Sequence, residues 1–421
     1  DVLGSRGLGD VYKRQQLERS FTSRVAHIGM DEAHMVGLGK YLDQHGYENR
    51  FDIINRHLAR VLQIAKKHGF TCYMWGDMFF RLAFGGEYYR FDKEIPPEVA
   101  AAIPKDVNLI YWDYYQTDKA VYDGMIASYK KLGNPMSFAG GAWKWSGFAP
   151  CNEFSLAATE LALDSCLEHG VDDVTATAWG DNGAEASLFS VLPCLVYYGE
   201  RRYGEKAGES FRAVTGCAFE DFLALELPDR VRRTMPEPAR SNYSKILLYN
   251  DPLLGMFDDL ASRAEEGAMR ENLGALRAAR GRIKGSFRYL FDTLCALSEA
   301  VLAKYSLGNE LREAYLKGDR EVLAALCGRM KDAERKLAAF HRALSAQWYR
   351  ENKPEGMEVQ DIRLGGACTR MRECRQRVQA YLAGKTDSLP ELAAERNKEF
   401  QEDQFGIVYN SWAQIVSACP F

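Results

Sequence analysis

The chain has 421 residues, of which 47% are hydrophobic and 27% are charged, as is usual for a globular protein. A formal net charge of −4 gives no general attraction for nucleic acid or an anionic membrane, and no stretch reaches the ~20 apolar residues of a membrane span. The ten cysteines are scattered and form no CxxC pair, so we expect reduced, mostly buried thiols and a cytoplasmic location.

The first fifteen residues are not expected to belong to the fold. Residues 10–15, Asp-Val-Tyr-Lys-Arg-Gln, resemble the translation of a transposon adapter from sequencing libraries, and a flexible natural tail is the alternative. An adapter would imply that the gene is interrupted here and that further coding sequence lies upstream. Residues 1–15 are therefore set apart from two predicted domains, residues 16–205 and residues 206–421.

Residues 24–200 alternate short apolar runs with amphipathic helical patterns, which is typical of parallel βα units. A closed (β/α)8 barrel needs eight strands, whereas this region supplies five. The predicted fold class is therefore α/β, a partial TIM barrel with strands 4 to 8 present and three more expected upstream. The five strands are predicted at residues 25–29, 70–75, 107–112, 136–139 and 171–179, and the helices at about 51–68, 118–132, 153–169 and from Ala184 onwards.

Beyond residue 205 the strand patterns stop and helical patterns dominate. Residues 273–305 and 320–348 each predict a long helix, and antiparallel packing of such helices into a bundle is the simplest arrangement. Residues 226–229 and the stretch around Pro236 and Pro238 are predicted to be linkers. The second domain is therefore predicted to be an α-helical C-terminal domain.

Polar and aromatic residues follow each predicted strand, at the edge where parallel βα barrels place their active sites. Five of the seven tryptophans lie at or just past these strand ends, where a packed core would favour aliphatic side chains. Indole faces stack on sugar rings and carboxylates accept hydrogen bonds from hydroxyls, so the set predicts a carbohydrate site, although any single indole could equally be a packing residue. The residues are Trp75, Asp77, Trp112, Asp113, Tyr114, Trp143, Trp145, Trp179, Asp181 and Glu185.

Two adjacent acids, Asp31 and Glu32, follow the first strand. Adjacent acids are common on protein surfaces, but these stand where a barrel holds its catalytic groups. Cleavage of a glycosidic bond requires a proton donor for the leaving oxygen and a group that stabilises positive charge at the anomeric carbon. Successive residues point in different directions, so the two carboxylates can take these separate roles.

The segment His27-Ile28-Gly29-Met30-Asp31-Glu32 resembles the His-x-Gly-x-Asp-Glu motif of glycoside hydrolase family 20. Further similarity at Ala33, His34, residues 37–39 and residues 75–80 looks like the hexosaminidase D type branch. The resemblance is strong over residues 24–200 and looser through the helical region, including residues 352–356 and 409–412.

This resemblance implies an exo-acting, retaining β-N-acetylhexosaminidase in which the 2-acetamido group of the substrate attacks the anomeric carbon, an exception to the two-carboxylate scheme. Glu32 would be the general acid and then the base, in an apolar surround that keeps it protonated, and Asp31 would orient the acetamido group. The other implied roles are a hydrogen bond to the acetamido carbonyl for Tyr114, pocket walls for Trp75, Trp112 and Trp143, a floor under the sugar for Trp179, and contacts to its outer hydroxyls for Asp181 and Glu185. Asp77 is a further candidate substrate-binding residue, and His27 a supporting one.

The implied partner is a glycan or glycoconjugate ending in N-acetylhexosamine, with no cofactor, metal, nucleic acid or membrane, and a homodimer stays open. Asp31 and His34 could suggest a metal site, but no second cluster of residues has the spacing of metal ligands, so a metal is not predicted. Members of the family carry an arginine that binds sugar hydroxyls and an early-loop histidine that supports the acid. Both would lie upstream of residue 16, so this chain alone is expected to be inactive.

Two alternative functions stay open. One is a non-catalytic carbohydrate-binding barrel, and the other is a glycosidase that uses Glu32 with a separate carboxylate, namely Asp77, Asp113 or Asp181. Whether Arg363 approaches the site is left open.

Overall fold

The computed structural model describes residues 16–203, 206–234 and 242–396. The predictions for residues 1–15, for Pro236 and Pro238, and for residues 409–412 lie outside these ranges. Within them, five strands form one parallel sheet in chain order, which is a half-barrel and confirms the predicted fold class. The strands are β1 (Val25–His27), β2 (Thr71–Trp75), β3 (Val107–Trp112), β4 (Met136–Gly141) and β5 (Val174–Thr177).

Helices follow the strands; three of them were predicted from hydrophobic periodicity, at residues 50–67, 119–131 and 152–168, and the three shorter ones were not. They are α1 (Lys40–His45), α2 (Arg50–Lys67), α3 (Asp77–Ala83), α4 (Pro97–Ala102), α5 (Lys119–Lys131) and α6 (Asn152–Glu168). The side chain of Asn49 caps α2 by accepting from Phe51 N, and the side chain of Asp118 caps α5 by accepting from Ala120 N. The predicted apolar face of α2 is buried at Ile54, Leu58, Val61, Leu62 and Ala65.

The chain after β5 differs from the prediction. The strand pattern over residues 171–179 forms a strand only at its centre, and no α-helix begins at Ala184. Gly183 (φ 119°) and Ala184 (φ 50°) have left-handed backbone conformations, which interrupt helical geometry. Two 3-10 turns, Asp181–Gly183 and Leu188–Val191, therefore precede α7 (Leu192–Tyr203).

The rest of the described chain contains helices and no strand, as predicted. The helices are α8 (Ala207–Thr215), α9 (Phe219–Leu223), α10 (Tyr243–Tyr249), α11 (Asp258–Ser262), α12 (Glu266–Arg282), α13 (Arg288–Lys304), α14 (Leu307–Lys317), α15 (Arg320–Glu351), α16 (Met357–Leu382) and α17 (Pro390–Ala393). The prediction of one helix over residues 273–305 is wrong, because the chain breaks between α12 and α13, where Gly285 has a φ of 127°. Residues 226–229 are part of a 3-10 turn, Ala224–Asp229, in which Glu226 is buried.

The chain divides into two compact units. We call Asp1–Gly141 with Ala157–Thr177 the sheet unit, and Ala142–Leu156 with Ala178–Phe421 the helical unit. A continuous apolar core fills the helical unit, with fully buried side chains that include Phe222, Leu276, Phe291, Phe340 and Met371. The predicted domain boundary at residue 205 stays a prediction. In the described part of the chain, no helix is long and apolar enough to cross a membrane.

Candidate functional site

The Asp31-Glu32 pair lies on a tight segment that follows β1. Gly29, Met30 and Glu32 all have positive φ, at 77°, 81° and 46°. Positive φ in Met and Glu is strained, and such strain persists only where the surroundings impose it. Here, Trp75 N donates to Gly29 O at 3.1 Å, which ties the segment to the end of β2.

A buried carboxylate holds the backbone of Glu32. Asp77, the first residue of α3, is fully buried, and its Oδ2 accepts from Glu32 N at 3.2 Å. The same oxygen accepts from Arg81 Nε at 2.9 Å, and Arg81 Nη2 lies 3.7 Å from Glu32 Oε1. Asp77 Oδ1 is buried and has no hydrogen-bond partner among the described residues. Arg81 was missed from the sequence, where its only signal is the i,i+4 spacing from Asp77 on a helix.

The side chains of the acid pair are more open than expected. Glu32 is 56% exposed, and Asp31 is also exposed. The apolar enclosure predicted around Glu32 is therefore not formed by the residues that the structure describes. Within the sheet unit, the Glu32 carboxylate forms an ion pair with Arg81, whose side chain is only 17% exposed.

His27 supports the turn that leads into the acid pair. Its Nδ1 accepts from Gly29 N at 3.1 Å, and its ring centroid lies 4.5 Å from that of Trp75. Desolvation lowers the pKa of His27, while the charge of Asp31 acts in the opposite direction. The hydrogen bond requires an unprotonated Nδ1, which agrees with the lowered pKa.

An aromatic group follows β3. The rings of Trp112 and Tyr114 are stacked, with centroids 5.3 Å apart and planes 23° apart, and both residues are buried. The guanidinium carbon of Arg81 lies 6.0 Å from the Trp112 ring centroid and 5.4 Å from that of Tyr88. Both distances suit a cation–π contact. Arg81 therefore connects the Glu32 carboxylate to the aromatic residues of the sheet unit.

Asp113 is the most perturbed acid near these residues. Burial raises its pKa to about 6, against the effect of hydrogen bonds from its neighbours. Tyr111 Oη donates to Asp113 Oδ2 at 2.7 Å, and Tyr115 N donates to Oδ1 at 3.0 Å. Both carboxylate oxygens are thus occupied by protein donors, so this geometry does not favour Asp113 as the second carboxylate of a two-acid mechanism.

Four predicted sugar contacts belong to the helical unit. Trp143 is fully buried, with its ring stacked on Trp145 at 4.5 Å. Trp179 is 40% exposed and Asp181 is exposed. Glu185, by contrast, is buried. Sugar contact by these four residues stays a prediction.

Two residues of the helical region contact Glu185. Lys245 Nζ lies 2.7 Å from Glu185 Oε2, and Arg363 Nη1 lies 3.1 Å from Oε1. Arg363, whose role was left open by the sequence, therefore forms an ion pair with Glu185. Lys245 was missed from the sequence, because residues on separate helices meet here only through the fold. Among the described residues, no cluster of His, Cys, Asp or Glu could hold a metal ion.

One comparison with known proteins, a match to a family model, indicates a glycoside hydrolase. Residues 220–406 match the family model of the Glycoside Hydrolase 20C C-terminal domain. A search of curated proteins found no match. Among solved structures, the chain is similar to a GH138 enzyme targeting pectin rhamnogalacturonan II, at 10% identity over 89% of this chain and 79% of that one, with a TM-score of 0.33. A TM-score this low does not establish a shared fold. The family match relates this chain to glycoside hydrolase family 20, and thereby to the glycoside hydrolases.

Proposed function

We propose that this chain is part of an exo-acting, retaining β-N-acetylhexosaminidase of the hexosaminidase D type, which removes terminal β-linked GlcNAc or GalNAc. The observation that carries the proposal is the Asp31-Glu32 pair after β1, in which Glu32 contacts the Asp77–Arg81 ion pair through both its backbone and its carboxylate. The relation to glycoside hydrolase family 20 supports it.

In the proposed reaction, the acetamido oxygen of the substrate attacks the anomeric carbon as the bond to the leaving oxygen breaks. Glu32 gives its proton to that oxygen, and a cyclic oxazolinium ion forms. Water then attacks the anomeric carbon and gives a proton to Glu32. This attack reopens the oxazolinium ring, and the configuration at the anomeric carbon is retained overall. The carboxylate of Asp31 orients the acetamido N–H and stabilises the positive charge.

Several residues of the sheet unit are suited to holding the sugar. Asp77 is fully buried and its Oδ2 accepts from Glu32 N, so its proposed task is to position the catalytic acid. Trp112 and Tyr114 offer adjoining aromatic surface for the acetamido methyl group, and Tyr114 Oη is the proposed donor to the acetamido carbonyl. Trp75, whose ring contacts His27, is a further wall.

The first test is the replacement Glu32→Gln. It keeps the shape of the side chain but removes the proton that must be donated, so we expect release of p-nitrophenol from its N-acetyl-β-glucosaminide to fall by roughly 10²–10⁴-fold. The matched control is Glu98→Gln, which removes a charge from an exposed position on α4. Turnover that is measurable in wild type and equally fast in Glu32→Gln would exclude Glu32 as the general acid.

Binding of an N-acetylglucosamine thiazoline, which imitates the cyclic intermediate, is the second test. Calorimetry measures this binding even if the chain alone does not turn over substrate. Substrate-assisted catalysis predicts tight binding that Asp31→Asn weakens, because the variant lacks the charge that pairs with the ring nitrogen. A glycosidase with two separated carboxylates would bind the thiazoline hardly at all, and a non-catalytic binding barrel would bind glycan without forming product.

A further inference from the structure

Residues 179–187, which we call the 179–187 loop, consist of an exposed part and a buried part. Trp179 and Asp181 are exposed, whereas Glu185 and Ser187 are buried. The sequence suggested sugar contact for Trp179, Asp181 and Glu185 alike. Burial separates Glu185 from the other two and indicates a different task for it.

Both carboxylate oxygens of Glu185 contact positively charged side chains from two helices of the helical unit. Lys245 of α10 and Arg363 of α16 are themselves buried, and each contacts a different oxygen. Removing one partner from a buried ion pair leaves an uncompensated charge, so such a carboxylate is strongly held in place. Glu185 is therefore suited to fixing the loop rather than to binding sugar hydroxyls.

The loop backbone lies directly against α16 at Gly183. Gln360 Nε2 donates to Gly183 O at 3.2 Å, and Gln360 is fully buried. A Cβ atom at Gly183 would lie 2.6 Å from Arg363 Nη1 and 2.8 Å from Gln360 Nε2. Together with a φ of 119°, this close approach explains why glycine stands at this position.

Two further hydrogen bonds hold the ends of the loop. Ser187 Oγ donates to Glu351 Oε1 on α15 at 2.7 Å, and Lys144 Nζ donates to Trp179 O at 3.2 Å. Helices α10, α15 and α16 thus all contribute to the attachment of the loop, and the residues on α10, α15 and α16 lie within the segment that matches the family model.

We propose that helices α10 and α16 hold the 179–187 loop in place through Glu185, so that Trp179 and Asp181 are presented to an N-acetylhexosamine in a fixed position. Lys245, Gln360 and Arg363 are then positioning residues, and Glu185 acts through the loop instead of touching substrate. The identity of the sugar in this inference rests on the proposed function, whereas the fastening itself does not.

The test uses uncharged substitutions, because breaking the buried ion pair could unfold the protein. Gln360→Met removes the hydrogen bond to Gly183 O. Ser187→Ala removes the hydrogen bond to Glu351 and also the one that Ser187 Oγ accepts from Phe189 N. Losing one such bond should speed amide hydrogen exchange within residues 179–187 by roughly two- to tenfold. The matched control Gln376→Met changes an exposed glutamine on the same helix and should leave this exchange unchanged. Unaltered exchange of the loop in both test variants would overturn the proposal.

Calorimetry with the thiazoline gives the second readout. If the loop positions the sugar-binding residues, Gln360→Met should bind the thiazoline several-fold more weakly than Gln376→Met. Faster loop exchange with unchanged thiazoline affinity would overturn the sugar-presenting role. If the wild-type chain binds no thiazoline, the proposed function fails, while hydrogen exchange still decides whether the helices fasten the loop.

Discussion

At the scale of single residues, Asp77 connects the proposed catalytic acid to the rest of the sheet unit. Its Oδ2 accepts from both Glu32 N and Arg81 Nε, and the residue is fully buried. Hydrogen bonds to a charged acceptor are stronger than those between neutral groups, and a buried carboxylate depends on them. The position of Glu32 therefore depends on the charge of Asp77 as well as on its shape.

Asp77→Asn should lower the free energy of unfolding by about 1–3 kcal/mol, because the ion pair with Arg81 is lost while the side-chain volume is kept. Urea denaturation at neutral pH measures the change. Asp106→Asn is the control, since Asp106 is exposed. A loss no larger than that of the control would show that the Asp77–Arg81 pair does not stabilise the segment around Glu32.

Asp113 makes a pH-dependent contribution to stability. Its pKa in the folded protein is raised from 3.8 to about 6 by burial. Between these values the folded protein holds a proton that the unfolded chain releases. The stabilisation is therefore fully present below the unfolded pKa and is lost as the pH rises through the folded pKa.

Asp113→Asn should remove this pH dependence, because the amide stays neutral at every pH. Relative to wild type, the variant should gain on the order of 2 kcal/mol in unfolding free energy between about pH 4 and about pH 7. Urea melts of both proteins at the two pH values give the difference, with Asp106→Asn as the control. A constant difference between variant and wild type would contradict the raised pKa.

At the scale of elements, the sequence predicted most of the strands and helices of the sheet unit. The five strands and helices α2, α5 and α6 follow apolar periodicity and polar caps, which are local properties of the chain. The chain after β5 was mispredicted, because left-handed conformations at Gly183 and Ala184 break a pattern that otherwise reads as helical. The break between α12 and α13 was missed for the same reason, since Gly285, with its positive φ, lies in a sequence that otherwise favours a helix.

The candidate site shows the same division between local and distant information. The Asp31-Glu32 pair and the strand-end aromatics could be found from the sequence, because adjacency and strand ends are visible in it. The contacts of Arg81 with Glu32, and of Lys245 with Glu185, join residues far apart in the chain. No pattern in a single sequence reveals such pairs, so the fold had to supply them.

The junction between β2 and α3 requires glycine at residue 76. A Cβ atom there would overlap the ring of Tyr129, which is fully buried and whose Oη is hydrogen-bonded to Tyr88 Oη at 2.8 Å. The φ of Gly76 is −97°, so the constraint is space and not backbone conformation. The start of α3, and with it the position of Asp77, depends on this close approach.

Gly76→Ala should therefore destabilise the protein by about 1–3 kcal/mol through overpacking. The control is Gly274→Ala on α12, where nothing lies within 4 Å of the added atom and alanine should stabilise the helix by about 1 kcal/mol. Thermal or urea melts should thus show changes of opposite sign. A Gly76→Ala variant as stable as wild type would show that Tyr129 can move without cost.

At the scale of the whole molecule, the two compact units have different kinds of core. The helical unit has one continuous apolar core, in which long helices such as α13, α15 and α16 contribute fully buried side chains. The sheet unit rests on a parallel sheet whose first strand, β1, is an edge strand, and Val25 of this strand is 55% exposed. An edge strand with an exposed face adds little apolar burial.

We therefore expect the sheet unit to unfold at a lower urea concentration than the helical unit. Buried cysteines report on each unit: Cys166 in the sheet unit, and Cys295 and Cys374 in the helical unit. Burial raises the pKa of Cys166 and of Cys374 to about 12, so both thiols should react slowly until they are exposed. Iodoacetamide labelling in increasing urea, followed by mass spectrometry of the peptides, should modify Cys166 before Cys295 and Cys374. Labelling of all three thiols in a single transition would mean that the two units unfold together and that the weak edge at β1 does not limit stability.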